Sequence, residues 1–99
     1  MTRLYLYIPG LGHEVELAHE TTIVPSIGDR IYVHAESLDK YSCRVLEKTP
    51  ACHCFERNEV TEHMSMAEYL KESVITVRGK AWSYENGTAG CHLEVEVEY

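Results

Sequence analysis

The residues of this sequence with the most reactive side chains are four cysteines, two of which have a histidine beside them. The cysteines are Cys43, Cys52, Cys54 and Cys91. His53 lies between the second and the third, and His92 follows the fourth. Thiolate and imidazole groups are the ligands that zinc prefers, and four of them in a tetrahedral arrangement would tie an irregular middle segment to the rest of the fold. A zinc site is therefore one hypothesis.

The spacing of the cysteines argues against zinc. Structural zinc sites usually begin with two cysteines separated by roughly two to four residues, whereas Cys52 and Cys54 are separated by His53 alone. Cys43 and Cys91 fall on apolar faces of predicted strands, where cysteine behaves as a small hydrophobic residue. Buried or incidental thiols are the favoured interpretation, with a metal site and a disulfide as the alternatives.

The Cys52-His53-Cys54 segment raises a second chemical hypothesis, a reactive thiol. A thiolate beside a protonated imidazole is an activated nucleophile. Adjacent residues of a strand point to opposite faces, however, so His53 is not expected to reach either sulfur. The sequence therefore predicts no catalytic set and favours a protein that is not an enzyme.

The net charge of the chain limits the classes of partner that are expected. Sixteen acidic residues against nine basic ones give a formal net charge of −7, and the basic residues are scattered singly. Nucleic acids and anionic lipid surfaces attract clustered Lys and Arg, so neither is an expected partner.

No stretch approaches the roughly 18–20 apolar residues of a membrane-spanning helix, and the first residues lack the apolar run of a secretory signal. The expected location is the cytoplasm, where thiols stay reduced.

Alternation of apolar and polar residues is the dominant pattern, and it predicts a mostly β fold. Residues 4–8 and 15–17 alternate on either side of a Pro-Gly-Leu-Gly turn, which predicts a hairpin. Residues 31–35 follow a turn at 26–29 as a third strand, and the alternation returns at residues 41–45, which predicts a second hairpin.

The C-terminal third predicts the longest hairpin, with strands at 74–84 and 91–97 around an Asn-Gly pair. In the register that places apolar residues opposite one another, Trp82 is a core neighbour of Leu93. A bulge at Gly79 is then required to turn the earlier residues of the first strand towards the core.

One short helix is expected at residues 65–72, because Ser65 and Glu68 have the spacing of a capping box. The elements together predict a single domain, residues 1–99, of about six to seven strands and one helix. Its architecture is expected to be a small barrel or a bent two-layer antiparallel sheet.

Residues 24–33, Val-Pro-Ser-Ile-Gly-Asp-Arg-Ile-Tyr-Val, resemble the strand entry of SH3-like small β-barrels. In those barrels a hydrophobic-Gly-Asp turn leads into an alternating strand. The resemblance covers ten residues of this chain. It implies a small-barrel fold and no functional residues, because unrelated activities share such folds.

Three tyrosines at nominally outward strand positions, Tyr5, Tyr7 and Tyr32, are the candidate interface residues. Tyrosine suits protein interfaces because it supplies a large contact area with few rotatable bonds. The alternative is that the three rings cover a second, minor core of a twisted barrel. The favoured function is a non-enzymatic protein-binding or self-assembly module, with another protein or a second copy as the partner. The alternatives are an adaptor stapled by zinc through the four cysteines and a small enzyme without an identifiable catalytic set.

The cysteine spacing gives a first prediction. Protein purified without added zinc is expected to contain well under one equivalent of the metal, as measured by atomic emission. One equivalent of tightly held zinc, lost together with the fold on chelation, would contradict the interpretation of the cysteines as free thiols.

Overall fold

The computed structural model describes residues 1–99 and contains one curved, mixed β-sheet with its core on one face. The strands are β1 (Thr2–Tyr7), β2 (Glu14–Glu16), β3 (Arg30–Ile31), β4 (Val74–Glu85) and β5 (Thr88–Glu98). Their order is β2-β1-β5-β4-β3, with β1 and β5 parallel and the other neighbours antiparallel. The mostly β class is confirmed. The sheet curls as a half-barrel of five strands, fewer than predicted, and it is not wholly antiparallel.

Three short helices replace the single helix predicted. They are α1 (Lys40–Lys48), α2 (Glu59–His63) and α3 (Met66–Lys71), with 3-10 turns at Ala35–Ser37 and Ala51–His53. The predicted helix is α3, and its capping box is confirmed, since the Glu68 N–H donates to Ser65 Oγ and the Ser65 N–H to Glu68 Oε1. No helix is long and apolar enough to cross a membrane.

The strand predicted at residues 41–45 is wrong, because this segment lies within α1. Asp39 caps the helix by accepting a hydrogen bond of 2.7 Å from the Ser42 N–H. Ser42 and Leu46, four residues apart, form its buried side, whereas Tyr41 is 71% exposed. The alternating residues that indicate a strand in the sequence therefore occupy different sides of a helix.

The N-terminal hairpin is confirmed by the pairing of β1 with β2, in which Leu6 lies opposite Val15 and both are buried. The third strand is shorter than the predicted segment 31–35. Only Arg30 and Ile31 pair with β4, before the chain turns towards α1.

The C-terminal hairpin has the predicted turn and the predicted bulge. Asn86 and Gly87 both have positive φ, 51° and 79°, and form a two-residue connection between β4 and β5. The register shifts between Val77 and Gly79, which leaves Ile75 and Val77 buried in the core. The extra residue of the bulge thus changes which side chains of β4 face the core, as the sequence requires.

The predicted register at the outer end of this hairpin is wrong by two residues. Trp82 lies opposite Cys91, and Leu93 lies opposite Lys80. The sequence-based alignment allowed a long loop, whereas the turn contains only two residues. Trp82 is consequently 44% exposed and Tyr84 is 78% exposed, so neither belongs to the core.

This register predicts that a substitution at Leu93 destabilises the fold more than one at Trp82. Leu93→Ala is expected to lower the free energy of unfolding by about 2–5 kcal/mol, because Leu93 is fully buried between the sheet and the helices. Trp82→Ala is expected to cost less, since much of that side chain already faces water. Urea denaturation of both variants makes the comparison. A larger loss for Trp82→Ala would place the tryptophan in the core after all.

Candidate functional site on the projecting hairpin

The four cysteines lie in three separate parts of the fold, and all are free thiols. Cys43 lies on α1, Cys52 and Cys54 lie in and after the second 3-10 turn, and Cys91 is buried in β5. No group of three or more His, Cys, Asp or Glu side chains is arranged to hold a metal ion. The zinc-stapled adaptor therefore lacks an assembled ligand set here.

Three of the four thiols are not activated by their surroundings. Cys43 Sγ donates to Glu47 Oε1 at 3.2 Å, and this hydrogen bond raises the pKa of the Cys43 thiol. Burial raises the pKa of the Cys54 and Cys91 thiols. A raised pKa leaves less of the thiolate that acts as the nucleophile.

The three candidate tyrosines do not form one surface. Tyr5 and Tyr7 lie on the face of β1 that the helices leave open, and Tyr7 is 43% exposed. Tyr32 is also exposed but follows β3, so β5 and β4 lie between it and the other two. Tyr5 stacks on His92, with ring centroids 4.6 Å apart and an interplanar angle of 6°. The aromatic partner of Tyr5 is therefore within the chain.

The outer half of the β4–β5 hairpin projects beyond the covered part of the sheet, and residues 81–87 are all exposed. Trp82 pairs with the buried Cys91, so its ring points to the core side of the sheet at a place where no helix covers it. The Nζ atom of Lys80 lies 5.8 Å from the Trp82 ring centroid and donates to the Pro25 carbonyl at 3.2 Å. Part of the Trp82 ring is therefore exposed to solvent on this side of the sheet.

The outer backbone edge of β4 is also open. β3 pairs with β4 only at Ile75 and Thr76, and the hydrogen bonds of Val77 with the preceding turn extend this pairing by one residue. No hydrogen bond outside the hairpin involves the backbone of residues 78–87. Because Glu85 and Thr88 flank a two-residue turn, the alternating ladder directs the amides and carbonyls of Lys80, Trp82 and Tyr84 outwards. We call residues 80–85 the free edge.

A chain of three polar side chains lies on the opposite, open face of the same hairpin. Ser83 Oγ is 2.7 Å from His92 Nε2, and His92 Nδ1 is 2.7 Å from Glu14 Oε2. The carboxylate reaches from β2 across β1 to β5. We call Ser83, His92 and Glu14 the polar cluster. A hydroxyl, an imidazole and a carboxylate joined in this order form the constellation that activates serine nucleophiles.

Gly90 makes the contact between Ser83 and His92 sterically feasible. It lies opposite Ser83, and a Cβ atom at this position would stand 2.7 Å from Ser83 Oγ and 3.5 Å from His92 Nε2. Any other residue at position 90 would displace the hydroxyl from the imidazole.

The sequence patterns above miss both the free edge and the polar cluster, although one signal predicts the free edge and two members of the polar cluster. An Asn-Gly pair favours a two-residue loop, which fixes Glu85 opposite Thr88. Counting back from the turn then places Ser83 opposite Gly90 and diagonal to His92. The contribution of the carboxylate is not predictable in this way, because it comes from a distant strand.

The resemblance of residues 24–33 to SH3-like barrels stays a prediction. In the structure these residues form a turn with Gly28 at φ 94° and lead into the two-residue strand β3. No protein-family model matches the chain, and no curated protein or solved structure shows significant similarity to it.

Proposed function

We propose that the protein is a self-assembling module in which two copies pair through the free edge of β4. The observation that carries this proposal is the row of outward backbone groups at Lys80, Trp82 and Tyr84, which no other part of the chain contacts through a hydrogen bond. An exposed strand edge is a template for a further strand, and adding one satisfies its amides and carbonyls in pairs.

The free edge has a self-complementary register. Two antiparallel copies related by a two-fold axis perpendicular to the sheet keep the same face on the same side. Residues of equal parity then lie opposite one another. Centring the axis on Trp82 pairs it with its own copy and pairs Lys80 with Tyr84. Aromatic pairs across neighbouring strands are stabilising, and an ammonium beside a tyrosine ring adds a cation–π contact.

Local charge supports the free edge over the open face as the place of contact. The whole chain carries a net charge of −7, which opposes association. Residues 80–85 contain one basic residue, Lys80, and one acidic residue, Glu85, so the free edge carries no net charge. The open face, in contrast, carries Glu94 and Glu96 from β5 beside the β2 carboxylates, with Arg78 paired to Glu96 at 2.8 Å. Two copies meeting there would place like charges together.

The proposal predicts a dimer at micromolar concentration in analytical ultracentrifugation. Trp82→Glu is expected to give a folded monomer, because it places two carboxylates opposite one another at the axis. Trp82→Phe is expected to remain a dimer. The matched control is Tyr41→Glu, which adds the same charge at an exposed aromatic residue on α1 and is expected to leave the dimer intact. Trp82 is the only tryptophan, so its emission is also expected to shift to shorter wavelength as dimers form.

Three results would contradict the proposal. The first is a wild type that stays monomeric up to several hundred micromolar. The second is an equal loss of association in Trp82→Glu and Tyr41→Glu, which would indicate a general effect of charge. The third is a dimer that survives Trp82→Glu but dissociates when Tyr5 and Tyr7 are both replaced by Ser. That outcome would place the interface on the open face.

A further inference from the structure

We infer that the polar cluster is a reactive serine site, in which Ser83 takes small acyl groups from activated esters, His92 acts as the general base and Glu14 positions the imidazole. This inference does not depend on the proposed self-assembly. The polar cluster consists of side chains on the open face of the hairpin, whereas self-assembly uses backbone groups at the outer edge of β4.

Hydrogen bonding sets the direction of proton transfer. An ionised carboxylate only accepts hydrogen bonds, so the 2.7 Å contact between Glu14 and His92 assigns the proton of a neutral imidazole to Nδ1. Nε2 then carries the lone pair, and it lies 2.7 Å from Ser83 Oγ. The hydroxyl therefore donates to a base that is already oriented to remove its proton.

Two further contacts hold the imidazole and the hydroxyl in place. Tyr5 lies flat against the His92 ring, with an interplanar angle of 6°, and limits its rotation. The absence of a side chain at Gly90 leaves the space in which Ser83 Oγ and His92 Nε2 meet. Orientation of this kind supplies much of the advantage of a bound nucleophile over one in free solution.

A surface cavity of about 190 Å³ lies beside the Ser83 hydroxyl. Its lining includes Arg3, Asn86 and Thr88, whose side chains carry N–H or O–H donors, and also the Glu85 carboxylate, which carries none. Arg3 makes a 3.5 Å ion pair with Glu16 and a side-chain hydrogen bond with Tyr5, and its five guanidinium N–H donors leave others for a ligand. Donors beside the nucleophile stabilise the negative oxygen that forms on an attacked carbonyl. The small cavity favours a short acyl group, and its position at the surface leaves the alcohol portion in solvent.

The reaction proceeds in two balanced steps. Ser83 Oγ attacks the carbonyl carbon while its proton moves to His92 Nε2, and collapse of the tetrahedral intermediate breaks the ester C–O bond. The leaving alkoxide takes the proton from His92, which gives the acyl-serine and a free alcohol. Water then attacks the acyl-serine with His92 as base, and the carboxylic acid leaves as Ser83 regains its proton.

A fluorophosphonate probe tests the nucleophile directly, because it phosphonylates an activated serine and releases fluoride. Mass spectrometry of the intact, full-length protein is expected to show one adduct, located on Ser83 by peptide mapping. The matched control is Ser26→Ala, which removes another exposed serine and is expected to label as the wild type does. Ser83→Ala is expected to show no adduct while keeping its circular dichroism spectrum and its melting temperature.

Hydrolysis of p-nitrophenyl acetate tests the roles of the other two residues. Ser83→Ala and His92→Gln are expected to lose at least about a hundredfold of the rate, the usual contribution of a positioned base. Glu14→Gln is expected to lower kcat with KM unchanged, as a positioning residue does. Gly90→Ala is expected to reduce labelling at Ser83 by occupying the space of its hydroxyl.

The inference is overturned if Ser83 remains unlabelled with the probe in large excess. It is equally overturned if label spreads over several serines, or if His92→Gln labels at the wild-type rate. A wild type that stays monomeric overturns the proposed self-assembly and leaves these readouts untouched, so the two proposals fail separately.

Discussion

The register of the β4–β5 hairpin depends on Asn86 and Gly87, which both adopt positive φ. A two-residue turn of this type matches the right-handed twist of the strands that it joins, and Asn and Gly are the residues that tolerate its dihedral angles. With the turn fixed, every pair between β4 and β5 up to the bulge follows. Ser83 lies opposite Gly90 and Trp82 opposite Cys91, so both candidate surfaces arise from one local constraint.

The bulge between Val77 and Gly79 reconciles that register with the core. The inner part of β4 buries Ile75 and Val77, whereas an uninterrupted ladder from the turn would have brought Arg78 to the core side in their place. The extra residue changes the parity once, so the same strand is a core element at one end and a projecting edge at the other. The hairpin is longer than the layer of helices that covers it, and its outer half is therefore available for contacts.

Local signals predict much of this fold, and the errors arise where one local pattern fits two structures. Alternation predicts the first hairpin, the Ser65–Glu68 spacing predicts α3, and Gly79 marks the bulge. The strand expected at 41–45 is wrong because a five-residue alternation fits a strand and an amphipathic helix alike. A polar residue, Ser42, supplies part of the buried side of α1, which obscures the helical period.

The complete polar cluster could not be predicted from the sequence, because its members come from distant parts of the chain. Glu14 and His92 are 78 positions apart, and they meet only because β1 pairs in parallel with β5. No local pattern encodes a parallel pairing between the two ends of a chain. Only the contact between Ser83 and His92 could have been predicted, from the turn that fixes the register of their strands.

The most direct test of the account is the register of the hairpin in solution, measured from nuclear Overhauser contacts between α-protons of β4 and β5. Non-hydrogen-bonded antiparallel pairs bring their Cα atoms within about 4.5 Å, so their α-protons give strong contacts. The register of the structure predicts such contacts between Trp82 and Cys91 and between Tyr84 and Ala89. Contacts from Trp82 to Leu93 would contradict this register, because they would return Trp82 to the core and separate Ser83 from Gly90.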